Sequence, residues 1–323
     1  MNELRSEIEN ILLRNQQDWE TRFYGYYEKI INNGDMIDQY RKKFHMRGFL
    51  RAYMSFGQAM RQNPVFSLRY GGQIIGFMKF KKSTGEPYLS INEKCYKDNL
   101  KWFNFNLLPP KENRCQYIWK SSPEAQKFRN RFENSLPPKV GQDEHRFETF
   151  ILDEMLNPTG DKFCGTLRDI RPVCIADRIP FQMPMPIKAR GGKPEYTPTS
   201  AGHIDILARY GRGKPVLTVI ELKRPDGEYK GAAKQAFIYT VALNYMFTKT
   251  SSDFRKKLCA LCGYEVYPKL RFNAVAAIPF PYLDKYKQEI SQLQPLKDKD
   301  ISLRYIAYKI VDNQKIKIIG KDL

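Results

Sequence analysis

The chain has 323 residues, of which 42% are hydrophobic and 13% aromatic, and its formal net charge is +19. This composition excludes general disorder, because disordered chains are poor in aromatic and apolar residues. Apolar runs stay short of the ~20 residues that span a bilayer, and the first ten residues are polar and acidic. We therefore expect a soluble, cytoplasmic protein without a membrane span.

The first third of the sequence predicts helices followed by a hairpin. Residues 3–32 carry apolar side chains at helical spacing, and residues 36–61 predict a second helix. The period then changes to two on either side of an adjacent pair of glycines, which permit a tight turn. This pattern predicts a β-hairpin formed by residues 65–70 and 73–82.

A boundary between two domains is predicted near residue 138. Residues 96–120 are rich in aromatic side chains, which favours core packing over stacking on bases. Pro123 predicts the first turn of another helix, and a Pro-Pro pair ends it. We expect a basic, aromatic α+β domain over 1–138 and a second domain over 139–323.

The second domain predicts an α/β fold. Its predicted elements are a helix at 143–156, extended segments near 171–179, 203–210 and 216–223, a helix at 229–247, a strand at 271–279, a helix near 283–293 and a hairpin over 301–319. This order indicates a mixed sheet flanked by helices.

The positive charge is spread over two regions rather than concentrated in one tail. Residues 51–150 carry a net +8 and residues 201–323 a net +10, interleaved with aromatic side chains. Such a distribution suits an extended polyanion and indicates nucleic acid as the partner. An acidic protein or a membrane surface remains the alternative.

Six cysteines are present, and nothing indicates secretion, so reduced thiols are expected. Cys259 and Cys262 form the only CxxC pair. A tetrahedral metal site or an iron–sulphur cluster would need two more ligands, which Cys164 and Cys174 could supply. The amphipathic pattern of residues 254–263 favours buried free thiols instead.

Two acids and a lysine lie on the predicted strands of the second domain. Asp205 stands among apolar residues, and Glu221 and Lys223 project to one face of the next strand because strand side chains alternate. Two carboxylates can hold Mg²⁺ as hard oxygen ligands, and a lysine beside them can orient an attacking water. A structural ion-pair network is the alternative.

Further candidates lie on the flanking helices. Glu148 shares a helical face with apolar residues three, four and seven positions later, which predicts an inward carboxylate. Glu144 is the rival for this role, and a solvated Glu148 is the alternative. Gln235 and Tyr239 lie one turn apart on the next helix, where they reach the same site or form plain helix surface.

Four basic or titratable side chains near these acids are candidates for substrate binding. His203 lies two residues before Asp205 on the same predicted strand face, where core packing is the alternative role. Arg224, Lys230 and Lys234 follow the proposed catalytic strand. They would hold substrate phosphates, or they would only be solvated.

The order of these residues resembles the PD-(D/E)xK nuclease superfamily over residues 143–279, under half of the chain. The resemblance rests on Glu148, Asp205, the run Glu221-Leu222-Lys223 and the run Gln235-Ala236-Phe237-Ile238-Tyr239. The Gln-x-x-x-Tyr spacing is similar to the RecB-like branch. Ile204 departs from the proline of the family motif.

The resemblance implies a restriction-endonuclease-like fold and a metal-dependent nuclease. It implies Asp205 and Glu221 as metal ligands, Lys223 as the catalytic lysine and Glu148 as an accessory acid at the metal. Gln235 and Tyr239 become supporting residues of the active site. Mg²⁺ is the implied cofactor, with Mn²⁺ as a substitute.

We therefore expect a hydrolase that cleaves phosphodiester bonds, with DNA favoured as the substrate. The superfamily context implies an endonuclease in restriction or anti-phage defence. An RNA-cleaving nuclease and an inactive nuclease-like binding module are the alternatives. The N-terminal domain would bind the substrate, bind a protein partner or a second copy of the chain, or sense a trigger.

Overall fold

The computed structural model divides the protein into two compact units. The large unit contains Met1–Glu28, Phe150–Cys174 and Gln182–Leu323, and the small unit contains Lys29–Thr149 and Ile175–Phe181. The described residues are 2–35, 37, 50–54, 65–81, 83–100, 104–107, 117–134, 144–156, 167, 169–175, 179–199, 202–211, 216–224, 231–264, 270–293, 300–311 and 315–322.

Helices and strands alternate irregularly along the chain. The helices are α1 Asn2–Arg14, α2 Gln16–Asn32, α3 Pro123–Asn134, α4 Glu144–Leu156, α5 Ala232–Thr248, α6 Ser252–Leu261 and α7 Leu283–Leu293, with short helical segments at Glu93–Cys95, Tyr96–Leu100, Arg190–Gly192 and Phe280–Tyr282. The strands are β1 Leu50–Met54, β2 Phe66–Tyr70, β3 Gln73–Phe80, β4 Pro87–Ser90, β5 Tyr117–Ile118, β6 Ile170–Pro172, β7 Cys174–Ile175, β8 Ile179–Pro180, β9 Met183–Met185, β10 Ile187–Lys188, β11 Glu195–Tyr196, β12 Gly202–Ile204, β13 Ile206–Tyr210, β14 Val216–Leu222, β15 Arg271–Pro279, β16 Ile301–Val311 and β17 Lys315–Asp322.

The large unit is built on a six-stranded mixed sheet in the order β17-β16-β15-β14-β13-β6. The central strands β14, β15 and β16 run parallel, and the outer strands run antiparallel to their neighbours. One face of β15 packs on helices, since Ala276 and Ile278 contact Ala232 and Ala233 of α5 and Tyr286 of α7. Burial on both faces explains the continuous apolar runs of these strands.

The N-terminal helices belong to the core of the large unit. Ile8, Leu12 and Trp19 are fully buried, and α1 packs against α5. The Trp19 ring meets the rings of Tyr245 and Phe254 edge-on, at centroid distances of 6.5 and 5.6 Å. Edge-on contacts of this kind are the favoured geometry of aromatic pairs.

The small unit contains a five-stranded antiparallel sheet in the order β1-β2-β3-β4-β5. Gly71 and Gly72 connect β2 to β3 with φ of 55° and 91°, which a two-residue hairpin turn requires. Helix α3 contributes Phe128 and Phe132 to the core, and the Phe132 ring lies 4.8 Å from that of Tyr70.

Most sequence-predicted elements are confirmed. The mixed α/β class, the hairpin around the glycine pair and the terminal hairpin are present, and Trp119 is buried as expected for a core aromatic. Among the described residues no helix is long and apolar enough to cross a membrane. Cys259 and Cys262 are buried, and Cys164 lies outside the described residues.

Three predicted elements differ in detail. The helix predicted at 36–61 is wrong where it meets β1, because Leu50–Met54 pairs with β2; residues 38–49 and 55–61 lie outside the described residues. The helix predicted at 3–32 is interrupted at Asn15, whose side-chain amide donates to the Ile11 carbonyl at 2.8 Å. The strand predicted at 203–210 is interrupted at Asp205.

The domain organisation also differs from the predicted linear division at residue 138. Residues 1–28 group with the large unit through the packing of α1 and Trp19, and residues 175–181 group with the small unit. The chain therefore passes between the units more than once. The order of predicted elements along the sequence does not indicate this grouping, because the grouping depends on contacts between segments that are distant in sequence.

Candidate active site

The interruption between β12 and β13 places Asp205 beside the end of β14. Ile206 pairs with Ile220 in antiparallel register, so the next position along each strand brings Asp205 next to Glu221. Asp205 itself lies between the two strands, and its carboxylate accepts a hydrogen bond from the Leu222 N–H at 2.9 Å. Asp205 is thereby fixed to the strand that carries Glu221 and leads into Lys223.

Glu221 and Lys223 project toward the helical layer of the large unit. Glu221 is in register with Ala276 of β15, which packs against the start of α5, and parallel neighbours in register point to the same face. The Glu221 side chain is only 1% exposed. Burial of a carboxylate is costly in free energy unless other polar groups or a cation compensate it.

Lys223 is held at both its backbone and its side chain. Its N–H donates to the Ala277 carbonyl at 2.9 Å, and its carbonyl accepts from the Tyr308 hydroxyl. Its ammonium group donates to Oε1 of Gln235 at 2.7 Å. The lysine therefore has a defined position between β14 and the first turn of α5.

Tyr239 lies one helical turn beyond Gln235 and is buried among the acids. Its hydroxyl oxygen accepts a hydrogen bond from the Ala189 N–H at 3.4 Å and also from the backbone of His203. Burial raises the pKa of Tyr239 well above its usual value, and the negative charges of Glu221 and Asp205 raise it further. The phenol consequently stays protonated near two carboxylates.

Glu289 of α7 is a member of this site that sequence reasoning missed. Its carboxylate accepts hydrogen bonds from the backbone of Gly231, Ala233 and Lys234, at the start of α5. Burial raises the pKa of Glu289 above its usual value, although these hydrogen bonds and the charge of Lys223 lower it. In the sequence Glu289 stands three residues after Tyr286, which is buried, and residues three apart share one side of a helix.

The structure places the predicted substrate-binding residues unequally. His203 is half-buried on β12 opposite Pro184, and Arg224 is exposed directly after β14. The Lys234 side chain packs on Gly192, where its Cδ would lie 3.1 Å from an added Cβ. Lys230 lies outside the described residues.

Glu148 belongs to the small unit. It is 2% exposed, as the inward prediction requires, and its carboxylate forms an ion pair with Arg69 at 2.8 Å. The Arg69 guanidinium also lies 3.9 Å from the centre of the Tyr53 ring. The role of Glu148 as an accessory acid stays a prediction.

The carboxylates of the large unit fit a magnesium ion by their chemistry. Within the described residues, no group of three or more His, Cys, Asp or Glu side chains is arranged to hold a metal ion. Mg²⁺ commonly keeps several waters and is bound by one or two carboxylates together with substrate phosphates. Asp205 and Glu221 provide this smaller donor set.

Comparisons with protein-family models, curated proteins and solved structures find no match to this chain. The interpretation of the site therefore depends on its own geometry. That geometry brings together Asp205, Glu221, Lys223, Gln235 and Tyr239, five of the residues singled out by sequence spacing.

Proposed function

We propose that this protein is a metal-dependent nuclease that hydrolyses phosphodiester bonds in DNA, with the chemistry in the large unit. The observation that carries the proposal is the 2.7 Å hydrogen bond between Lys223 and Gln235, beside the neighbouring acids Asp205 and Glu221. We further propose that the mixed sheet and its helices are a restriction-endonuclease-like domain of the PD-(D/E)xK superfamily.

Lys223 is proposed to stabilise the charge that develops on the scissile phosphate. An ammonium group already oriented by Gln235 needs little reorganisation when the substrate binds. The same ammonium group would orient the attacking water. Tyr239 supplies a protonated hydroxyl beside the acids, because its raised pKa keeps the phenol neutral.

Asp205 and Glu221 would hold Mg²⁺, with Mn²⁺ as a substitute. When bound, such an ion polarises a phosphoryl oxygen and increases the acidity of a coordinated water. The hydrogen bond from the Leu222 N–H to Asp205 fixes the orientation of that carboxylate. Substitution of either acid should therefore abolish cleavage even though Lys223 remains in place.

The test is cleavage of supercoiled plasmid in Mg²⁺ or Mn²⁺ by the wild type, Glu221→Gln and Lys223→Ala. We expect nicking or linearisation by the wild type, abolition by EDTA, and a loss of at least about 100-fold in each variant. Glu195→Gln is the matched control, because Glu195 is a 67% exposed acid of the same unit.

Equal activity in the wild type and both site variants would contradict the proposed site. Absence of cleavage by the wild type would contradict a DNA nuclease, and single-stranded DNA and RNA would then be tested. Cleavage of RNA but not of DNA would change the proposed substrate to RNA and would retain the proposed catalytic residues. Binding without cleavage of any substrate would favour an inactive nuclease-like module.

A further inference from the structure

A short basic turn lies beside the candidate active site. Arg190–Gly192 form a single helical turn in which Gly191 and Gly192 have φ of 60° and 72°. Both values lie in the left-handed region, which glycine adopts without the strain of a Cβ. The turn closes with hydrogen bonds from Gly192 N–H to the Ala189 carbonyl and from Lys193 N–H to the Arg190 carbonyl, each of 3.2 Å.

Two contacts attach this turn to the helix that carries Gln235 and Tyr239. The Ala189 N–H donates to the Tyr239 hydroxyl at one end of the turn. At the other end, Gly192 is buried under the aliphatic part of Lys234, with no room for a larger residue unless Lys234 moves. These two contacts fix the position of the turn relative to the candidate active site.

The turn presents two cations that have no acidic partner among the described residues. Arg190 and Lys193 are exposed, and neither forms an ion pair with an acid of the described residues. The nearby Lys188 differs, because it is paired with Glu195 at 3.1 Å. Lys234 lies against Gly192, which stands between Arg190 and Lys193 in the chain, so a third cation adjoins the turn.

We infer that the basic turn, Arg190–Lys193, binds the phosphodiester backbone of the nucleic acid that the candidate site would cleave. This inference rests on the proposed function, and it adds to the catalytic residues an element that grips the flanking phosphates. Cations that lack an acidic partner lose little when they bind phosphate, and they release counterions from the polyanion. Contacts of this type position the strand and carry no sequence information.

The test is binding of the full chain to two fluorescently labelled oligonucleotides, a DNA duplex and a single-stranded RNA, measured by anisotropy in EDTA. We expect Arg190→Ala/Lys193→Ala to raise Kd by on the order of tenfold and to reduce the salt slope by about 2. Lys249→Ala/Lys256→Ala removes the same charge from two exposed lysines. Lys249 follows the far end of α5, and this control should keep the wild-type Kd within about twofold.

An equal rise in Kd for both double variants would overturn the inference, because it would reflect net charge alone. An unchanged Kd in the turn variant, or no binding by the wild type to either oligonucleotide, would also overturn it. A rise in Kd for the turn variant but not for the control variant supports phosphate binding by the turn. The oligonucleotide on which this rise occurs, DNA or RNA, identifies the nucleic acid that the turn binds. Since EDTA prevents metal-dependent cleavage, binding and cleavage are measured separately. A rise in Kd confined to the turn variant, together with no cleavage of plasmid, single-stranded DNA or RNA, would retain the turn and reject the nuclease.

Discussion

A single glycine next to the site has no tolerance for a side chain. Gly202 pairs with Met185 between β12 and β9, and a Cβ added there would stand 1.9 Å from the carbonyl oxygen of Ile187. The obstacle is backbone, which cannot rotate away as a flexible side chain does. The close approach fixes the course of the chain just before His203 and Asp205.

We predict that Gly202→Ala lowers the free energy of unfolding by more than about 2 kcal/mol, because a strand must shift to admit the methyl group. Gly25→Ala is the control. Gly25 lies in α2 with nothing within 4 Å of an added Cβ, and the change should raise stability by about 0.5–1 kcal/mol. Urea denaturation of both variants measures the difference, and an equally stable Gly202→Ala would contradict the backbone clash.

The spacing of individual residues predicted much of the candidate site. Strand alternation placed Glu221 and Lys223 on one face, and helical spacing placed Gln235 and Tyr239 one turn apart on the next helix. The contact between Gln235 and Lys223 is a finding of the structure. Glu289 was not predictable in the same way. It approaches α5 only because α7 packs on the same face of the sheet, and that packing has no local signal in the sequence.

At the scale of an element, α5 begins without a capping side chain of its own. It is preceded by Gly231, with φ of 78°, and has no acidic residue in its first turn. The backbone N–H groups at the start of a helix have no intrahelical acceptors, so Glu289 satisfies them from another helix. The first turn, which carries Gln235, is consequently supported by α7.

We predict that Glu289→Ala lowers the free energy of unfolding by about 1 kcal/mol, as the loss of a helix cap does. Glu289→Gln should retain most of the stability at neutral pH, because its amide oxygen still accepts hydrogen bonds. Chemical denaturation of the two variants measures this. Equal losses of stability in both variants would show that the negative charge of Glu289 contributes more than its ability to accept hydrogen bonds.

The pH dependence of the same carboxyl has a defined sign. Burial raises the pKa of Glu289 in the folded state, so folding favours the protonated form. The free energy of unfolding that protonation of Glu289 contributes is then fully present below the unfolded pKa, near 4.5. It is lost as the pH rises through the raised pKa of the folded state. Relative to Glu289→Gln, the wild type should gain stability between pH 7 and pH 4; a constant difference in urea denaturation would contradict this.

The strands show why some elements were predictable and one was not. β14 and β15 are continuous apolar runs between polar segments, and such runs predict buried strands. Leu50–Met54 is a five-residue segment with aromatic and basic neighbours that also fits a helical period. Its pairing with β2 determines its conformation, and local spacing does not contain that information.

At the scale of the whole molecule, the small unit takes a late segment of the chain into its core. Phe181 is 4% exposed and forms a parallel bridge with Met54 of β1. Residues 175–181 thus complete a unit whose other residues end at Thr149. A short return of the chain therefore contributes a buried side chain to this unit.

We predict that Phe181→Ala lowers the free energy of unfolding by about 3–5 kcal/mol, the range for a buried aromatic. Amide hydrogen exchange should show faster exchange in β1, β2 and β3 than in the wild type. Phe280→Ala is the control, because Phe280 is 44% exposed and its removal should change stability by less than about 0.5 kcal/mol. Unaltered exchange in β1 would show that the bridge contributes little.

The position of α1 has a consequence for synthesis on the ribosome. It carries the buried residues Ile8 and Leu12 and packs against α5, and the Trp19 ring of the next helix contacts those of Tyr245 and Phe254. These partners are translated more than 200 residues after Trp19. At ~5–20 residues per second the apolar face waits on the order of ten to forty seconds for them. During that interval the apolar face lacks these partners, and the large unit stays incomplete until β17, the last strand of its sheet, has been synthesised.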